Sequence, residues 1–427
     1  MLLRRWQSTV RWFYPGMRVK RWLLLIMVGL ALACLGAATC FWWQIGELVT
    51  SVQELQLATA LGVAALAIGA GLTIIGVIRL VLSVARAVSP DSRESLSERV
   101  YRHHQLGQGL NIVGIGGGTG LSALLRGLKT HTSNITAIVT VADDGGSSGR
   151  LRRDLGTLPP GDIRNCLVAL ADAEPLMGDW LQYRFDGAEP GLEGHSLGNL
   201  LISGLTAVSG DFLQAVRATS KVLNIRGRVL PATLDRVTLC AELEDGTVVR
   251  GETNIGQAAV RIHRVFLDPP NPAPLREAIE AIRSAHVIVL GPGSTFTSVL
   301  PNLLVPGLAE AIAESPAAKI LVCNVMTQPN ETVGFAAADH VRVILRHGPP
   351  GIVDYVLLND ERPSAEVLAR YHAEGAAFVQ PDTGEIASMG LMPIRRPLLA
   401  EGGLVRHDPA KLAAAVMELG VEELALT

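Results

Sequence analysis

The chain of 427 residues exceeds the usual size of one domain, so two or more structural units are expected. Charged residues make up only 18% and the net charge is −3, which excludes a broadly nucleic-acid-binding surface. The five cysteines form no CxxC pair, so neither a disulfide framework nor a zinc site is expected.

Two uncharged apolar runs lie near the start of the chain, at residues 22–43 and 57–78. As helices, each would be about 33 Å long, enough to cross a hydrocarbon core of roughly 30 Å. They predict a transmembrane hairpin. A cleaved signal peptide is the alternative. The first run is longer than the usual apolar core of a signal peptide, however, and a second apolar run follows it in this chain.

The charges beside these runs predict an orientation. Residues 1–21 carry six basic and no acidic residues, whereas the loop at 44–56 carries Glu47 and Glu54 and no basic residue. Five arginines follow the second run, between residues 79 and 102. Because basic flanks stay in the cytoplasm, both termini and the main domain are expected there, with two helices in the inner cell membrane. Residues 1–21 then form a basic tail, 79–109 a linker and 110–427 the main domain.

From Leu110 onward, short apolar runs end in glycine or polar turns, and several are followed by helical stretches. This alternation is typical of an α/β domain with a Rossmann-like, doubly wound and mostly parallel sheet. A final helix is predicted over Lys411–Leu426. The predicted strands are Leu110–Ile115, Ile135–Val141, His286–Leu290, Lys319–Cys323 and Val353–Leu358.

The segment between Val222 and Gly251 has a different pattern. The stretches VLPAT, VTLCAEL and TVVRGET surround a turn at Glu244–Gly246, which is typical of a β-hairpin. We therefore predict a small antiparallel insertion in the α/β domain.

A glycine-rich turn, Gly116–Gly120, follows the first predicted strand and precedes a helix. Glycines let a backbone approach a phosphate closely, and the helix N-terminus adds a positive dipole end. The turn matches only the loose GxGxxA variant of the dinucleotide fingerprint, through Ala123, and no Lys-Ser/Thr follows as in a P-loop. Phosphate binding and a purely structural turn both remain open.

Paired acids, Asp143 and Asp144, follow the second strand and lead into Ser147 and Ser148. Ligands in open α/β sheets bind beyond the carboxyl ends of the strands. The two carboxylates could bind a ribose or a divalent metal, or act as a base. A turn with aspartate caps is the structural alternative.

Three further motifs open helices or turns. In PPGDIRN, Asp162 could be a helix N-cap, while Arg164 and Asn165 could face a phosphate or base. In GHSLGN, His195 is the histidine that we expect to contact a ligand, and a plain cap or core role is the alternative. In GPGS, the turn around Gly293 repeats the strand-turn-helix arrangement and could meet the other half of a nucleotide.

Together these motifs resemble the YvcK family, known as gluconeogenesis factors, over residues 110–360. The stretches IGGGTGLSALLRGLK, VTVADDGGSSGRLR, LPPGDIRNCLVALAD, EGHSLGNLLI and GPGSTFTSVLPNLLV carry the resemblance. The wider superfamily is similar to CofD, the 2-phospho-L-lactate transferase of deazaflavin-coenzyme synthesis. Where the family pattern reads GPGSLYTS, Phe296 replaces a tyrosine, which leaves stacking on a base as its expected contact. Most members of the family lack the membrane hairpin.

The resemblance implies a Rossmann-like fold and a UDP-sugar ligand such as UDP-N-acetylglucosamine. It also implies a role in growth on gluconeogenic carbon, in cell shape and in wall synthesis. By resemblance, Asp143 and Asp144 are the acids that bind metal or substrate, with Mg²⁺ as the only cofactor suggested. The expected ligand-binding residues are Gly116, Gly117, Gly118, Thr119, Gly120, Asp143, Asp144, Ser147, Ser148, Asp162, Asn165, His195, Gly198, Asn199, Gly293, Ser294 and Phe296.

Three functions remain open at this point. The first is a regulator that binds a nucleotide-sugar without turnover, at the membrane and in contact with wall-synthesis or regulatory proteins or a second copy of itself. The second is a CofD-like, Mg²⁺-dependent transferase with Asp143 or Asp144 as the catalytic candidates. The third is an NAD-dependent oxidoreductase, which the loose glycine fingerprint disfavours.

Overall fold

The structure is a computed structural model that describes residues 20–46, 52–88, 106–172, 174–187, 191–400, 402 and 404–426. It divides into two compact units, Met1–Arg102 and His103–Thr427. The predicted basic tail, apart from its last two residues, and most of the predicted linker lie outside the described residues.

The first unit contains two long helices, α1 (Lys20–Gly46) and α2 (Val52–Val88). Both are long and apolar enough to span a membrane, over Arg21–Cys40 and Ala60–Leu80. The guanidinium carbons of Arg21 and Arg79 lie 4.8 and 5.6 Å from the centroid of the Trp22 ring. The start of the first span and the end of the second therefore lie side by side, as in a hairpin.

Glycines let α1 and α2 pack with their backbones almost in contact. A Cβ built on Gly69 would lie 2.4 Å from the Ala33 nitrogen, and one on Gly36 would lie 2.5 Å from the Gly62 oxygen. The hydroxyl of Thr73 donates to the Gly69 carbonyl at 2.8 Å, so it leaves no unpaired polar group. Small residues of this kind bring helices together in membranes.

The second unit is built on ten strands and on helices that connect them. The strands are β1 (Ile112–Gly116), β2 (Ile135–Val139), β3 (Arg228–Pro231), β4 (Thr238–Leu243), β5 (Val248–Arg250), β6 (Ile262–Asp268), β7 (Val287–Leu290), β8 (Ala318–Val322), β9 (Tyr355–Asn359) and β10 (Met392–Arg396). The helices are α3 (Gly118–Leu128), α4 (Gly146–Leu155), α5 (Gly161–Leu170), α6 (Glu174–Gln182), α7 (Leu197–Ser209), α8 (Phe212–Val222), α9 (Glu252–Ile255), α10 (Arg276–Arg283), α11 (Leu300–Leu303), α12 (Leu308–Glu314), α13 (Ala337–His347), α14 (Ala365–Ala373), α15 (Thr383–Ser388) and α16 (Pro409–Leu426), with a π-helical turn at Thr295–Val299.

Seven strands form one parallel sheet in the order β10-β9-β8-β7-β1-β2-β3. Every residue of β1, β2, β7 and β8 is buried, as expected for strands covered on both faces. The predicted α/β class is confirmed. The chain adds strands outward from β1 in one direction and then from β7 in the other, so the order reverses between β1 and β7.

A second, antiparallel sheet has the order β5-β4-β6. The predicted hairpin is confirmed, with Cys240 opposite Arg250 and Glu242 opposite Val248. The assignment of VLPAT to the insertion is wrong. Its first three residues, Val229–Pro231, belong to β3 and pair with β2 in the main sheet. The third strand of the insertion is instead β6, which the sequence reading did not identify.

Two apolar segments of the main unit belong to its core. The bent pair of helical segments Thr295–Leu303 and Leu308–Glu314 is, taken together, long and apolar enough for a membrane span. Its large apolar side chains, including Leu300 and Ile312, are fully buried. The terminal helix α16 packs tightly on α3, where a Cβ on Gly127 would lie 1.9 Å from the Pro409 oxygen.

Candidate functional site

Two glycine turns meet where the strand order reverses. Gly116–Gly120 follows β1, and Gly291–Ser294 follows β7. A Cβ built on Gly120 would lie 2.4 Å from the Pro292 oxygen and 3.0 Å from the Gly293 nitrogen, so only glycine permits this approach. The carboxyl ends of strands at such a reversal are where open α/β sheets bind ligands. The structure therefore brings both predicted turns to one cleft.

Three helices begin at this cleft, and in none of them does the side chain of the N-cap residue itself cap the helix. The N-cap residues of α3, α4 and α5 are Gly117, Gly145 and Pro160. A Cβ on Gly117 would lie 2.4 Å from Asp162 Oδ2, which places the starts of α3 and α5 together. The amide of Gly161 donates to Ser148 Oγ at 3.1 Å and so joins α5 to α4. Three positive dipole ends converge, and this arrangement favours an anion such as phosphate.

Asp162 lies at the centre of this convergence. Its carboxylate accepts a hydrogen bond from the Gly118 amide, and burial together with the charge of Asp143 raises its pKa to about 6. The prediction that Asp162 caps its own helix is wrong, because Pro160 occupies the N-cap. Asp162 instead holds the first turn of α3, where the glycine-rich turn enters the helix.

Asp143 and Asp144 point to different partners. Asp143 Oδ1 accepts from the Gly145 amide at 2.8 Å, and burial raises the pKa of its carboxyl. Asp144 Oδ1 accepts from the amide and the hydroxyl of Thr253, at 3.0 and 2.9 Å. Asp143 therefore belongs to the cleft with Asp162, whereas Asp144 ties the cleft to the start of α9 in the insertion.

Two glutamates that the sequence motifs did not include complete the acidic side. Burial, followed by the charges of Asp143 and Asp162, raises the pKa of Glu252 to about 9. Glu331 accepts a hydrogen bond from the Ser294 hydroxyl, and burial raises its pKa. Glu252 begins α9 and Glu331 lies in a turn, both far along the chain from Asp143, and no local motif marks them as site residues.

A buried polar network lies next to these acidic residues. Ser147 Oγ and His195 Nδ1 are 2.9 Å apart, and Asn199 Nδ2 donates to the same Ser147 oxygen at 3.1 Å. Burial and the nearby charge of Arg150 lower the pKa of His195, so its ring is neutral at pH 7. Asn199 carries the network into the first turn of α7.

Arg164 connects this network to the helix that carries Asp162. Its guanidinium donates to Asn199 Oδ1 and Asn165 Oδ1, each at 2.8 Å, and also to the Ser196 hydroxyl. Burial lowers its pKa to about 10, which still leaves it charged at pH 7. The absence of a side chain at Gly198 makes room for it, since a Cβ there would lie 2.7 Å from Arg164 Cδ.

The structure thus gathers nearly all the predicted residues around one cleft. Thr119 is exposed on the first turn of α3. The backbone of Gly293 both donates to and accepts from the side-chain amide of Asn324. Phe296 is the exception. Its side chain is 1% exposed and lies edge-to-face with Phe335, with ring centroids 6.3 Å apart, so it belongs to the core and not to the cleft.

Known proteins are similar to this chain over the region that forms the cleft. The family described as "2-phospho-L-lactate transferase CofD" matches residues 112–399, which include every element of the cleft. A crystal structure of a protein member of the UPF0052 family from Bacillus halodurans superposes with a TM-score of 0.70 and 52% sequence identity. It covers 72% of this chain and 99% of its own chain.

Two relatives match different lengths of this chain. The "Gluconeogenesis factor" of Halalkalibacterium halodurans is 53% identical over 309 residues, 72% of this chain and 96% of the relative. The "Putative gluconeogenesis factor" of Nostoc sp. is 46% identical over 420 residues, 96% of this chain and 92% of the relative. A match of that extent includes the two apolar helices, so the Nostoc relative shares this region.

Proposed function

The chain belongs to the CofD family, and from this membership and the cleft we propose that it is a membrane-tethered regulator that binds a UDP-sugar, such as UDP-N-acetylglucosamine. Its role is to adjust carbon use, cell shape and wall synthesis to the level of that ligand. The observation that carries the proposal is the meeting of two glycine turns and three helix starts at one point of the sheet.

A diphosphate suits this point for two reasons. The converging amides and dipoles stabilise negative charge, and the glycines let phosphate oxygens reach the backbone. The neighbouring Ser147–His195–Asn199 network offers neutral polar groups, which suit the hydroxyls and amides of a sugar or base. The cleft therefore combines an anion site with a neutral polar wall, the two halves that a nucleotide-sugar needs.

The acidic side bears on Mg²⁺. Among the described residues, no set of three or more His, Cys, Asp or Glu side chains is arranged to hold a metal ion. Mg²⁺ is commonly held by one or two carboxylates together with phosphate and water, and Asp143 with Asp162 fits that mode. Asp143 and Asp162 each accept one backbone amide, whereas Asp144 Oδ1 accepts both the amide and the hydroxyl of Thr253, so Asp144 fits less well. A bound Mg²⁺ would neutralise charge between these carboxylates and a diphosphate.

A CofD-like transferase is the second candidate function, and the close pair Asp143 and Asp162 favours it. Each carboxylate raises the pKa of a neighbour by its charge, and such perturbed groups in a cleft often serve a reaction.

Binding measurements with the full-length protein in detergent separate these functions. We expect saturable binding of UDP-N-acetylglucosamine and a rise in melting temperature of about 5 °C at a hundredfold excess over Kd, because the ligand binds only the folded state. UMP release should stay at background with or without Mg²⁺. Release that requires Mg²⁺ and is lost in Asp143→Asn would establish the transferase instead, and binding of NAD⁺ in place of the UDP-sugar would contradict both.

The membrane part of the proposal has its own test. A reporter active only in the periplasm, inserted between Gly46 and Val52, should be active, whereas the same reporter fused after Thr427 should be inactive. The acidic loop and basic flanks predict this result. Activity of the C-terminal fusion would place the main domain outside the cytoplasm and contradict the proposed tether.

A further inference from the structure

One end of the apolar hairpin holds two arginines against a single tryptophan ring. The guanidinium carbons of Arg21 and Arg79 lie 4.8 and 5.6 Å from the centroid of the Trp22 ring. Both arginine side chains are exposed, whereas the tryptophan is half-buried. We call these three side chains the arginine clamp. It presents two positive charges on one small surface.

Close packing of α1 on α2 brings the two arginines together. A Cβ built on Gly76 would lie 2.6 Å from Ile26 Cγ1 and 3.3 Å from the Trp22 oxygen. The glycine therefore lets the turn of α1 that begins at Trp22 rest against α2. Arg79 follows Gly76 by three residues in the same helix. Both arginines thus stand on packed helices and not on loops.

The clamp lies at the boundary of the two apolar spans. Arg21 is the first residue of one span, and Arg79 is the last but one of the other. Tryptophan is enriched where the apolar core of a membrane meets the lipid headgroups, and its ring suits that boundary. The clamp is at headgroup level only if the hairpin spans the membrane, so the inference rests on the proposed membrane tether.

The charges of the clamp have no acidic counterpart at this end of the hairpin. Among the described residues, neither guanidinium forms an ion pair. Glu54 is the single acid in the sequences of α1 and α2, and it precedes Arg79 by roughly 37 Å of helix. A guanidinium that meets a ring through its charge keeps N–H donors for the oxygens of a phosphate. The clamp therefore has the chemistry of an anion site.

We propose that the clamp binds the headgroup of an anionic phospholipid, with a phosphate held between Arg21 and Arg79. Exposed apolar side chains continue along both helices and can contact the acyl chains, which favours a lipid over a free phosphate. These side chains are Leu24, Met27 and Val28 on α1 and Ile74, Ile75 and Ile78 on α2. Basic sites between membrane helices suit headgroups of this kind.

The clamp gives the tether a preference among lipids that apolar helices alone do not have. One arginine near an anionic membrane surface contributes about fivefold in affinity, so two contribute roughly thirtyfold. A zwitterionic headgroup carries a cation as well as a phosphate, and the arginines repel that cation. The hairpin therefore favours regions of the membrane that are rich in anionic lipid.

Lipid titration of the full-length protein in detergent tests the proposal, with native mass spectrometry to count the bound lipids. Phosphatidylglycerol should bind saturably and roughly thirtyfold more tightly than phosphatidylcholine. Arg21→Gln combined with Arg79→Gln should reduce this preference to about twofold or less. A wild type that binds the two lipids equally would overturn the proposal.

The matched control is Lys20→Gln combined with Arg86→Gln. It removes two positive charges from the same end of the same helices, and Arg86 lies about 10 Å beyond Arg79 along α2. This variant should keep most of the preference for phosphatidylglycerol. Equal losses in the two double variants would assign the binding to diffuse positive charge and overturn the clamp.

Trp22→Leu separates the geometry of the clamp from its charge. Both arginines remain, but the ring that holds them is lost, so the affinity for phosphatidylglycerol should fall by about fivefold. Unchanged affinity would show that the ring does not organise a site.

The same variants keep the lipid result separate from the proposed function. Their affinity for UDP-N-acetylglucosamine should equal that of the wild type, because the substitutions leave the main unit unaltered. A lost lipid preference with intact UDP-sugar binding therefore concerns the clamp alone. An inactive reporter between Gly46 and Val52 would instead refute the tether on which the clamp depends.

Discussion

Gly120→Ala is expected to abolish binding of UDP-N-acetylglucosamine, with a loss of affinity of roughly a hundredfold or more. The added methyl group would lie 2.4 Å from the Pro292 oxygen and 3.0 Å from the Gly293 nitrogen. Both are backbone atoms and cannot turn aside, so the two glycine turns must separate. Gly120 sits in α3 without a positive φ, and alanine is otherwise favourable in a helix. The substitution therefore tests the approach of the two turns alone.

The matched control is Gly384→Ala, which adds the same group in helix α15, where a Cβ meets nothing within 4 Å. It should leave affinity unchanged and stability equal or slightly higher. The measurement is titration calorimetry on the full-length variants, with circular dichroism as the check on folding. If folded Gly120→Ala bound the ligand within twofold of the wild type, the meeting of the turns would not be the binding site.

Replacing Arg164 by methionine is expected to lower stability by about 3–5 kcal/mol, the range found when one partner of a buried charged network is removed. The change strands the side-chain oxygens of Asn199 and Asn165 and leaves that of Ser196 with only the Asn199 amide. It also removes the positive charge that favours ionised Asp162. Methionine keeps most of the volume, so lost polar contacts and not a cavity account for the effect.

Arg217→Met is the control for Arg164→Met, because Arg217 pairs with Glu277 on the surface, where the two side chains are 43% and 33% exposed. An exposed pair of this kind contributes about 1 kcal/mol or less. Thermal unfolding of the full-length proteins should therefore show a large fall in melting temperature for the first variant and almost none for the second. Similar falls in the two would mean that Arg164 does not organise the cleft.

The central strands were predictable because burial on both faces leaves a continuous apolar run. This is the case for β1, β2 and β7, each predicted to within two residues. Strand β6 alternates buried and exposed positions and includes charged residues, so no run marks it. Strand β10 lies at the edge of the sheet and contains a proline and two arginines. Its pairing with β9 depends on topology, as does that of β3 with β2, and not on local composition.

The site was predictable where a turn requires glycine or where a motif places polar groups at a strand end. The turn at Gly116–Gly120 and the residues His195 and Asn199 are of this kind. Glu252 and Glu331 were not predictable, because tertiary packing brings them to Asp143 and Ser294 from distant parts of the chain. Phe296 illustrates the converse error, since a position inside a motif does not decide which way an aromatic ring points.

The meeting of the two glycine turns also has a consequence for biosynthesis. Gly120 and Pro292 are 172 residues apart, and they meet only because β1 and β7 are neighbours in the sheet. At a synthesis rate of about 5–20 residues per second, roughly 10–30 seconds separate the appearance of the first turn from that of the second. Throughout that interval the nascent chain has half a cleft, so the ligand can assist only the last stage of folding.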